Sequence, residues 1–351
     1  MPHDLDEDVL SLGPRRRLPR WLVIALGTLA VVIAAALVLT RGDTARHAAA
    51  PAPTGSAPDL SLLAGQADIA VAADRLYRLA GGALYRLDVT DPATPSSDGV
   101  VAVGGLDNTL ANVSYHLVLD APRDRVWVVG YGAAPALVVE FDTRTLTEVG
   151  RLRWPGVVSA AAALHGQLYL AATNALVDVA PDGRTARTVP ELHGQYFSVV
   201  ADPTRSRLLL LGTDRGIRVE TFVPSGQRAF RGPAAPFGKG SLLVVGGAIW
   251  AGGYGDRGAV LARLDPTTLL PVAFSELTPQ LGPGAILAAA GSRVLWVRSG
   301  SGGDGLWCLA ASTGDQLQFW QYDGAVASRR GAAYVAVRSG PLDLRLGSCP
   351  G

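Results

Sequence analysis

Residues 114–154 read SYHLVLDAPRDRVWVVGYGAAPALVVEFDTRTLTEVGRLRW, and they are the clearest copy of a unit that recurs along the chain. Four runs in this stretch are rich in apolar, β-branched and aromatic residues, which predicts four β-strands. The runs are His116–Asp120, Arg125–Val129, Leu137–Phe141 and a fourth that starts at Leu146. The short segments between them carry Pro, Gly and Asp, so we expect an antiparallel sheet with tight turns.

A large side chain recurs in the second predicted strand of each copy. The column comprises Tyr77, Trp127, Tyr169, Leu209, Trp250, Trp296 and Tyr334. Its mean step is about 43 residues, which lies in the range of repeats with four strands per unit. A bulky ring can fill the space between two neighbouring sheets, so packing explains the column. We therefore predict an all-β fold, a seven-bladed β-propeller of four-stranded antiparallel blades.

A second column places an aspartate at the end of the third predicted strand in four copies: Asp88, Asp142, Asp182 and Asp265. An aspartate side chain in a turn accepts hydrogen bonds from nearby backbone amides. We therefore predict that these four residues stabilise turns rather than bind metal.

The N-terminal part of the chain contains one long uncharged segment, residues 21–40. Twenty helical residues are enough to cross a hydrocarbon core of about 30 Å. Arginines at positions 15, 16, 17 and 20 precede the segment, so the positive-inside rule places the N-terminus in the cytoplasm. The predicted organisation is a cytoplasmic tail (1–20), a transmembrane helix (21–40), an Ala/Pro-rich linker (41–58) and an extracytoplasmic propeller (59–351).

A cleavable signal peptide is the alternative interpretation of this segment, because Ala48–Ala50 offers small residues for cleavage. The apolar run is long for a signal peptide and ends well before that site. We therefore favour an uncleaved signal-anchor, which predicts a single-pass protein of the cell membrane with the lipid bilayer as a partner of residues 21–40.

The last copy of the unit supplies only three predicted strands: Val326–Arg329, Ala332–Arg338 and Leu342–Leu346. A ring of sheets leaves no place for an unpaired edge at its closing point. We predict that Asp59–Leu63 supplies the missing outer strand.

The chain has two cysteines, Cys308 and Cys349, and the predicted topology places both in an oxidising compartment. They are nearly one repeat apart, and equivalent points of neighbouring sheets are generally too distant for a disulfide. Cys349 follows the last predicted strand, in an irregular tail that could approach Cys308. The sequence leaves both a disulfide and two free thiols open.

Composition and motifs narrow the functional classes. The 31 basic and 30 acidic residues are balanced, so we predict no nucleic-acid partner. No HExxH, CxxC or GxSxG motif occurs, and the two GxGxxG matches (253–258 and 300–305) lie between predicted strands rather than before a helix. We predict no metal site and no cofactor, and the sequence identifies no catalytic residue.

Ligands of such folds bind on the channel face, the end of the ring where first strands begin and second strands join third strands. The sequence places several polar and aromatic residues there. The ligand-binding candidates are Asn108, His116, His193, Tyr196, Lys239, Tyr254, Asp256 and Arg257.

The segments DAPRDRVWVV, LVVEFDTRTLTEV, ADPTRSRLLLL and VVGGAIWAG resemble the broad superfamily of bacterial YVTN, NHL and quinoprotein-like β-propellers. The resemblance covers about residues 59–348 and implies the scaffold rather than an activity. Relatives of this architecture include metal-dependent lyases and redox-cofactor enzymes, but their catalytic motifs have no match in this chain. The predicted membrane tether and the Ala-, Gly- and Arg-rich composition resemble actinobacterial cell-envelope proteins.

Two functions follow as expectations. The first is a membrane-anchored, extracytoplasmic binding or interaction module for an envelope protein, a glycan or a small ligand, with a monomeric ectodomain. The alternative is an enzyme, lyase-like or cofactor-dependent, whose site on the channel face would use His116, His193 and neighbouring carboxylates. A purely structural sensor domain is a third possibility.

Overall fold

The structure is a computed structural model of the 351-residue chain. It describes residues 68–348 except for gaps at 73, 92–94, 107–112, 133, 214–216, 227, 236–239, 246, 256–257, 277–283, 291–292, 299–304, 311, 322–323, 330–331 and 338–342. All described residues belong to one compact unit, Gly55–Gly351. The predicted tail, transmembrane helix and linker (1–58) lie outside the described residues. Within the part of the chain that is described, no helix is long and apolar enough to cross a membrane.

The described residues form seven antiparallel sheets, which we name A to G in chain order. Sheet A contains β1 (Asp68–Ala72), β2 (Arg75–Ala80), β3 (Ala83–Asp88) and β4 (Ser96–Ala102). Sheet B contains β5 (Ser114–Asp120), β6 (Arg125–Tyr131), β7 (Ala136–Asp142) and β8 (Glu148–Trp154). Sheet C contains β9 (Val158–Leu164), β10 (Gln167–Ala172), β11 (Ala175–Val179) and β12 (Ala186–Thr188).

The second half of the chain repeats this pattern. Sheet D contains β13 (Gln195–Asp202), β14 (Arg207–Thr213), β15 (Ile217–Val223) and β16 (Arg228–Ala234). Sheet E contains β17 (Gly240–Val245), β18 (Ala248–Gly255), β19 (Gly258–Leu264) and β20 (Pro271–Glu276). Sheet F contains β21 (Gly284–Ala290), β22 (Arg293–Arg298), β23 (Gly305–Ala310) and β24 (Gln316–Gln321). Sheet G contains β25 (Gly324–Arg329), β26 (Ala332–Val337) and β27 (Asp343–Ser348).

The prediction of an all-β fold built from four-stranded antiparallel sheets is confirmed. One predicted strand start was wrong. Leu146 has φ of 55°, and its backbone N–H donates to the carbonyl of Asp142, so it belongs to a turn. The fourth strand of sheet B begins at Glu148 instead.

The sheets follow one another in a closed circuit. The first strand of each sheet contacts the first strand of the next, from β1 through β5, β9, β13, β17 and β21 to β25, and β25 contacts β1. These first strands are therefore the inner strands, and the last strand of each complete sheet is its outer strand.

Apolar packing between neighbouring sheets forms the core. Clusters of buried side chains join sheets A to B, B to C, C to D, D to E, E to F, and A to G. The predicted column of large side chains lies in this packing. Its described members are each at most 5% exposed, namely Tyr77, Trp127, Tyr169, Leu209 and Trp250. The side chains of Trp296 and Tyr334 lie outside the described set. Burial of each such side chain contributes roughly 1.5–3 kcal/mol.

The four aspartates at the ends of third strands stabilise turns, as predicted. The Oδ1 atom of Asp142 accepts the backbone N–H groups of Arg144 and Thr145 at 2.9 and 3.0 Å. Asp88, Asp182 and Asp265 accept backbone N–H groups in the same way. The hydrogen bonds from Thr90 lower the pKa of Asp88 to about 2.

A fifth aspartate, Asp202, links sheet D to sheet E. It is fully buried at the end of β13, where its carboxylate accepts the Thr204 hydroxyl at 2.6 Å and pairs with Arg207 Nε at 3.0 Å. Arg207 also donates to the carbonyl of Pro266 in sheet E. Burial alone would raise the pKa of Asp202, but the hydrogen bonds from Thr204 and the arginines outweigh burial and lower it.

Replacing Asp202→Asn is expected to destabilise the protein by about 2 kcal/mol at pH 7, because the variant loses the charge that pairs with Arg207. Asp182→Asn is the matched control: its exposed side chain keeps an acceptor oxygen for the Arg184 amide, so we expect a change within about 0.5 kcal/mol. Urea denaturation of both variants measures these values. Equal effects of the two changes would contradict the assigned role of Asp202.

The stability difference between the natural chain and Asp202→Asn depends on pH in a direction set by the pKa of Asp202. The pKa of Asp202 in the folded state lies below the unfolded value of about 3.9, so its stabilisation is complete above that pH. It is lost as the pH falls through the folded-state pKa. The stability difference between the natural chain and Asp202→Asn should therefore begin to decrease below about pH 4 and disappear below the folded-state pKa.

The predicted closure of sheet G involves residues beyond those described. Sheet G has three strands within the described residues, whereas the other six sheets have four. The segment Asp59–Leu63, predicted to complete sheet G, lies outside the described residues, so this closure stays a prediction.

A chain that begins at residue 66 should have a melting temperature about 10 °C below that of a chain that begins at residue 56, because it lacks the predicted closing strand. The difference corresponds to roughly 3–4 kcal/mol for a domain of this size. Differential scanning calorimetry of the two chains provides the measurement. Equal melting temperatures would show that residues 59–65 do not complete sheet G.

Candidate functional site

The channel face of sheets A and B carries a cluster of polar side chains around His116. Ser114 is the first residue of β5, and Tyr131, the last residue of β6, lies opposite it in the register of the sheet. Ser114 and His116 are two residues apart in one strand, so their side chains leave the same side of the sheet. The strand geometry therefore places Ser114, His116 and Tyr131 together at one end of sheet B.

The imidazole of His116 lies between a hydroxyl and a carboxylate. Its Nε2 atom is 2.9 Å from Ser114 Oγ, and its Nδ1 atom is 3.5 Å from Asp68 Oδ2. The His116 side chain is 40% exposed, so solvent and ligands can reach it. A proton on Nδ1 facing the carboxylate leaves Nε2 free to accept the Ser114 hydroxyl proton.

Asp68 comes from the neighbouring sheet, where it is the first residue of β1. Its Oδ2 atom also accepts the backbone N–H of Leu117 in β5 at 2.6 Å. The carboxylate is thereby held against the inner strand of sheet B, next to His116. The site depends on the contact between β1 and β5 and exists only when the two sheets are assembled.

Tyr131 supports the imidazole from one side. Its ring centroid is 4.3 Å from that of His116, with an angle of 27° between the ring planes. Burial of the hydroxyl and the nearby negative charge of Asp68 raise the pKa of Tyr131, and a hydrogen bond with the Ala161 backbone offsets only part of this effect. Tyr131 is therefore neutral at physiological pH and presents an uncharged aromatic face to His116.

The other predicted candidates are distributed around the ring. His193 is exposed in the segment before β13, and Tyr254 is 42% exposed near the end of β18. Tyr196 differs from the prediction, because it is buried between sheets C and D and its hydroxyl donates to Glu220 Oε2 at 2.8 Å. Asn108, Lys239, Asp256 and Arg257 lie outside the described residues.

No group of three or more His, Cys, Asp or Glu side chains suited to a metal ion occurs among the residues described.

Cys308 is buried in β23 and is disulfide-bonded, and the described residues include no free cysteine. Cys349, the other cysteine of the chain, lies outside them. The sequence left the pairing of Cys308 with Cys349 open.

Ser114 and Asp68 were not among the predicted site residues. The predicted strand began at His116, whereas β5 begins at Ser114. The Ser-x-His spacing would have placed Ser114 beside His116 if that strand had been extended by two residues, because alternate residues of a strand share a face. No sequence signal connects Asp68 to His116, because the two residues belong to different sheets and meet only through the packing of inner strands.

A separate cleft of about 400 Å³ lies between sheets C and D, at the end of the ring opposite the channel face. The outer strand of sheet C, β12, has three residues, which leaves the side of β11 incompletely covered. On the wall of the cleft, the Asp178 carboxylate accepts a hydrogen bond from the side-chain amide of Gln167 at 2.7 Å. It also forms an ion pair with Arg187 at 3.2 Å. The polar groups of this cleft are therefore occupied by one another.

Exposed apolar side chains lie on or beside the outer strands of sheets D, E and F. We call this set the outer-strand patch: Phe230, Leu270, Val272, Leu317 and Phe319. Their exposures range from 44% to 61%. Phe319 is held by Trp307, whose ring centroid is 4.8 Å away. These five side chains therefore remain exposed along the outer edges of three successive sheets.

Comparison with solved structures identifies the fold. The chain is similar to the β-propeller domain of Cps50 (Swd1) from Myceliophteria thermophila, with 12% identity, a TM-score of 0.55, and coverage of 77% of this chain and 96% of that domain. It is also similar to the dihydro-heme d1 dehydrogenase NirN in complex with DHE, with 13% identity, a TM-score of 0.50, and coverage of 82% and 67%. A nidogen/laminin complex aligns with 12% identity and a TM-score of 0.47 over 68% of this chain and 90% of that one.

At 12% and 13% identity, the first two similarities show the fold alone. Together with the closed circuit of antiparallel sheets, they establish that the chain has a β-propeller fold, as the repeat predicted. No protein-family model matches the chain, and no curated protein matches it.

Proposed function

We propose that this chain is a membrane-anchored, extracytoplasmic β-propeller of seven blades, of the actinobacterial cell-envelope type, and that it binds another envelope protein. In this proposal the seven described sheets are the blades, and residues 21–40 are the transmembrane anchor. The observation that carries the binding function is the outer-strand patch.

The outer-strand patch has the properties of a protein-binding surface. Phe230, Val272 and Phe319 belong to the outer strands of three successive sheets, so a partner that spans these strands can cover all of them. Aromatic anchors that are already fixed in place lose little conformational entropy on binding. The contact between Phe319 and Trp307 fixes one such anchor before any partner arrives.

The chemistry of the patch favours a protein over the other two expected ligands. Leu270, Val272 and Leu317 offer aliphatic surface without hydrogen-bonding groups, which suits apolar protein side chains better than the hydroxyls of a glycan. A small ligand would require a concave site, and the patch lies along exposed outer strands.

The proposed location rests on two observations. The twenty-residue uncharged segment with arginines before it predicts an anchor whose C-terminal side lies outside the cytoplasm. The disulfide at Cys308 supports the same placement, because disulfides persist in oxidising compartments and are rare in the cytosol.

The topology is tested by fusing alkaline phosphatase, which is active only after export, behind residue 58 or behind residue 20. The fusion behind residue 58 should be active and membrane-bound, whereas the fusion behind residue 20 should be inactive because it lacks the anchor. Activity of the first fusion in the soluble fraction would instead show cleavage of the apolar segment.

The binding function is tested with a photo-crosslinking amino acid at position 272 of the full chain in the cells that produce it. We expect a discrete protein adduct at position 272 and none at position 100, because Val100 is also an exposed apolar residue of an outer strand but belongs to sheet A. Phe319→Ser should lower the adduct yield at least about tenfold, as expected for an anchor residue, and Val100→Ser should leave it unchanged.

Equal adduct yields at positions 100 and 272 would contradict a specific protein partner. Adducts formed mainly with lipid would show that the patch lies on the bilayer and would also overturn the proposal. Circular dichroism of Phe319→Ser checks that loss of the adduct does not result from unfolding.

A further inference from the structure

We propose that Ser114 is the nucleophile of an acyl-transfer site on the channel face, with His116 as its general base and Asp68 as the residue that positions the imidazole. The substrate class is a carboxylic ester. This activity is independent of the binding function of the outer-strand patch.

The order of the three groups matches the requirements of nucleophilic catalysis by serine. Such a site needs a hydroxyl hydrogen-bonded to one imidazole nitrogen and a carboxylate facing the other. In this chain Ser114 Oγ faces Nε2 at 2.9 Å, and Asp68 Oδ2 faces Nδ1 at 3.5 Å. The second distance is longer than a usual N–H···O hydrogen bond, and such contacts shorten in the reacting complex when positive charge develops on the imidazole.

Two further contacts fix the geometry. The 2.6 Å hydrogen bond from the Leu117 amide holds the Asp68 carboxylate in place, so it faces His116 from a defined direction. The stacked ring of Tyr131 limits the tilt of the imidazole. The nucleophile and base both lie on a paired strand, β5, which positions them more rigidly than a loop does.

The reaction balances with these groups and water alone. Ser114 Oγ attacks the ester carbonyl carbon while its proton passes to His116 Nε2, and the C–O bond to the alcohol breaks as Nε2 returns that proton to the leaving oxygen. Water then attacks the acyl-serine, gives a proton to Nε2, and releases the carboxylic acid as the proton returns to Ser114 Oγ. No oxidant, metal or cofactor takes part.

An ester suits these groups better than an amide does. An alcohol leaves more readily than an amine, so the reaction demands less stabilisation of the tetrahedral intermediate. The partial exposure of His116 also admits water for the second step, which an ester hydrolase requires.

The chain contains its own comparison pair at the opposite end of the ring. His165 Nε2 lies 3.1 Å from Ser206 Oγ, across the boundary between sheets C and D. Among the described residues no carboxylate lies within ion-pair distance of His165, in contrast to His116. If the carboxylate matters, Ser114 should react and Ser206 should not.

The test uses the full chain in its membrane and a fluorophosphonate probe, which phosphonylates activated serines with loss of fluoride. Peptide mass spectrometry should find one adduct, on Ser114. Ser114→Ala should abolish labelling, and His116→Gln should slow it about 100-fold, the usual contribution of a general base. Asp68→Asn should slow it at least about tenfold.

Ser206→Gly is the matched control, because glycine retains the positive φ of this position while removing its hydroxyl. It should leave the labelling rate unchanged. Thermal denaturation of each variant separates loss of reactivity from loss of fold. For Asp68, a ¹⁵N NMR spectrum gives a readout independent of reactivity: the His116 proton should lie on Nδ1 in the natural chain and redistribute in Asp68→Asn.

A burst of p-nitrophenolate from p-nitrophenyl acetate, stoichiometric with protein and absent in Ser114→Ala, would support the acyl-serine directly. Failure to label Ser114 would overturn the proposal. Equal labelling of Ser114 in folded His116→Gln would also overturn it, because the hydroxyl would then react only as an exposed serine.

Discussion

The fold depends on apolar packing between neighbouring sheets of the circuit. Side chains alternate across a strand, and the middle strands bury apolar side chains on both faces, so neither face can be left in water. Trp127 fills the space between sheets B and C, and Tyr77 fills the equivalent space between A and B. The circuit closes because sheet G packs against sheet A through Ile69, Leu76 and Ala327.

Most polar side chains lie at the ends and edges of the sheets, although Arg78, Glu140 and Glu220 are buried within them. The carboxylates of the aspartates at the ends of third strands accept hydrogen bonds from the turns that they stabilise. The Asp202 carboxylate pairs with Arg207 and accepts the Thr204 hydroxyl. The groups around His116 differ, because Ser114 is at the start of an inner strand and the imidazole remains partly exposed. The ends of inner strands from neighbouring sheets converge, which allows a carboxylate of sheet A to reach an imidazole of sheet B. The channel face is therefore the place where side chains distant in sequence can cooperate.

The outer strands have the opposite character. Each has a neighbour on one side only, and its side chains face solvent on part of the rim. Val272 and Phe319 remain exposed after the circuit is complete, although one side of the Phe319 ring packs on Trp307 of its own sheet. The rim and the channel face thus offer two separate surfaces, one apolar and one polar, on a single rigid scaffold.

The sequence by itself determined the number of strands per repeat, the antiparallel pairing, the burial of Trp127 and Tyr169, and the role of Asp142 in its turn, because each depends on residues close together in the chain. The sequence also predicted His116 as a site residue, because its residue type and its place near a strand end are local features. Only the tertiary structure decided that Asp68 faces His116 and that Tyr196 is buried, because both depend on how neighbouring sheets pack. The same holds for the outer-strand patch: alternation in a strand predicts which residues share a face, but whether a neighbouring sheet covers that face is settled only when the circuit is assembled.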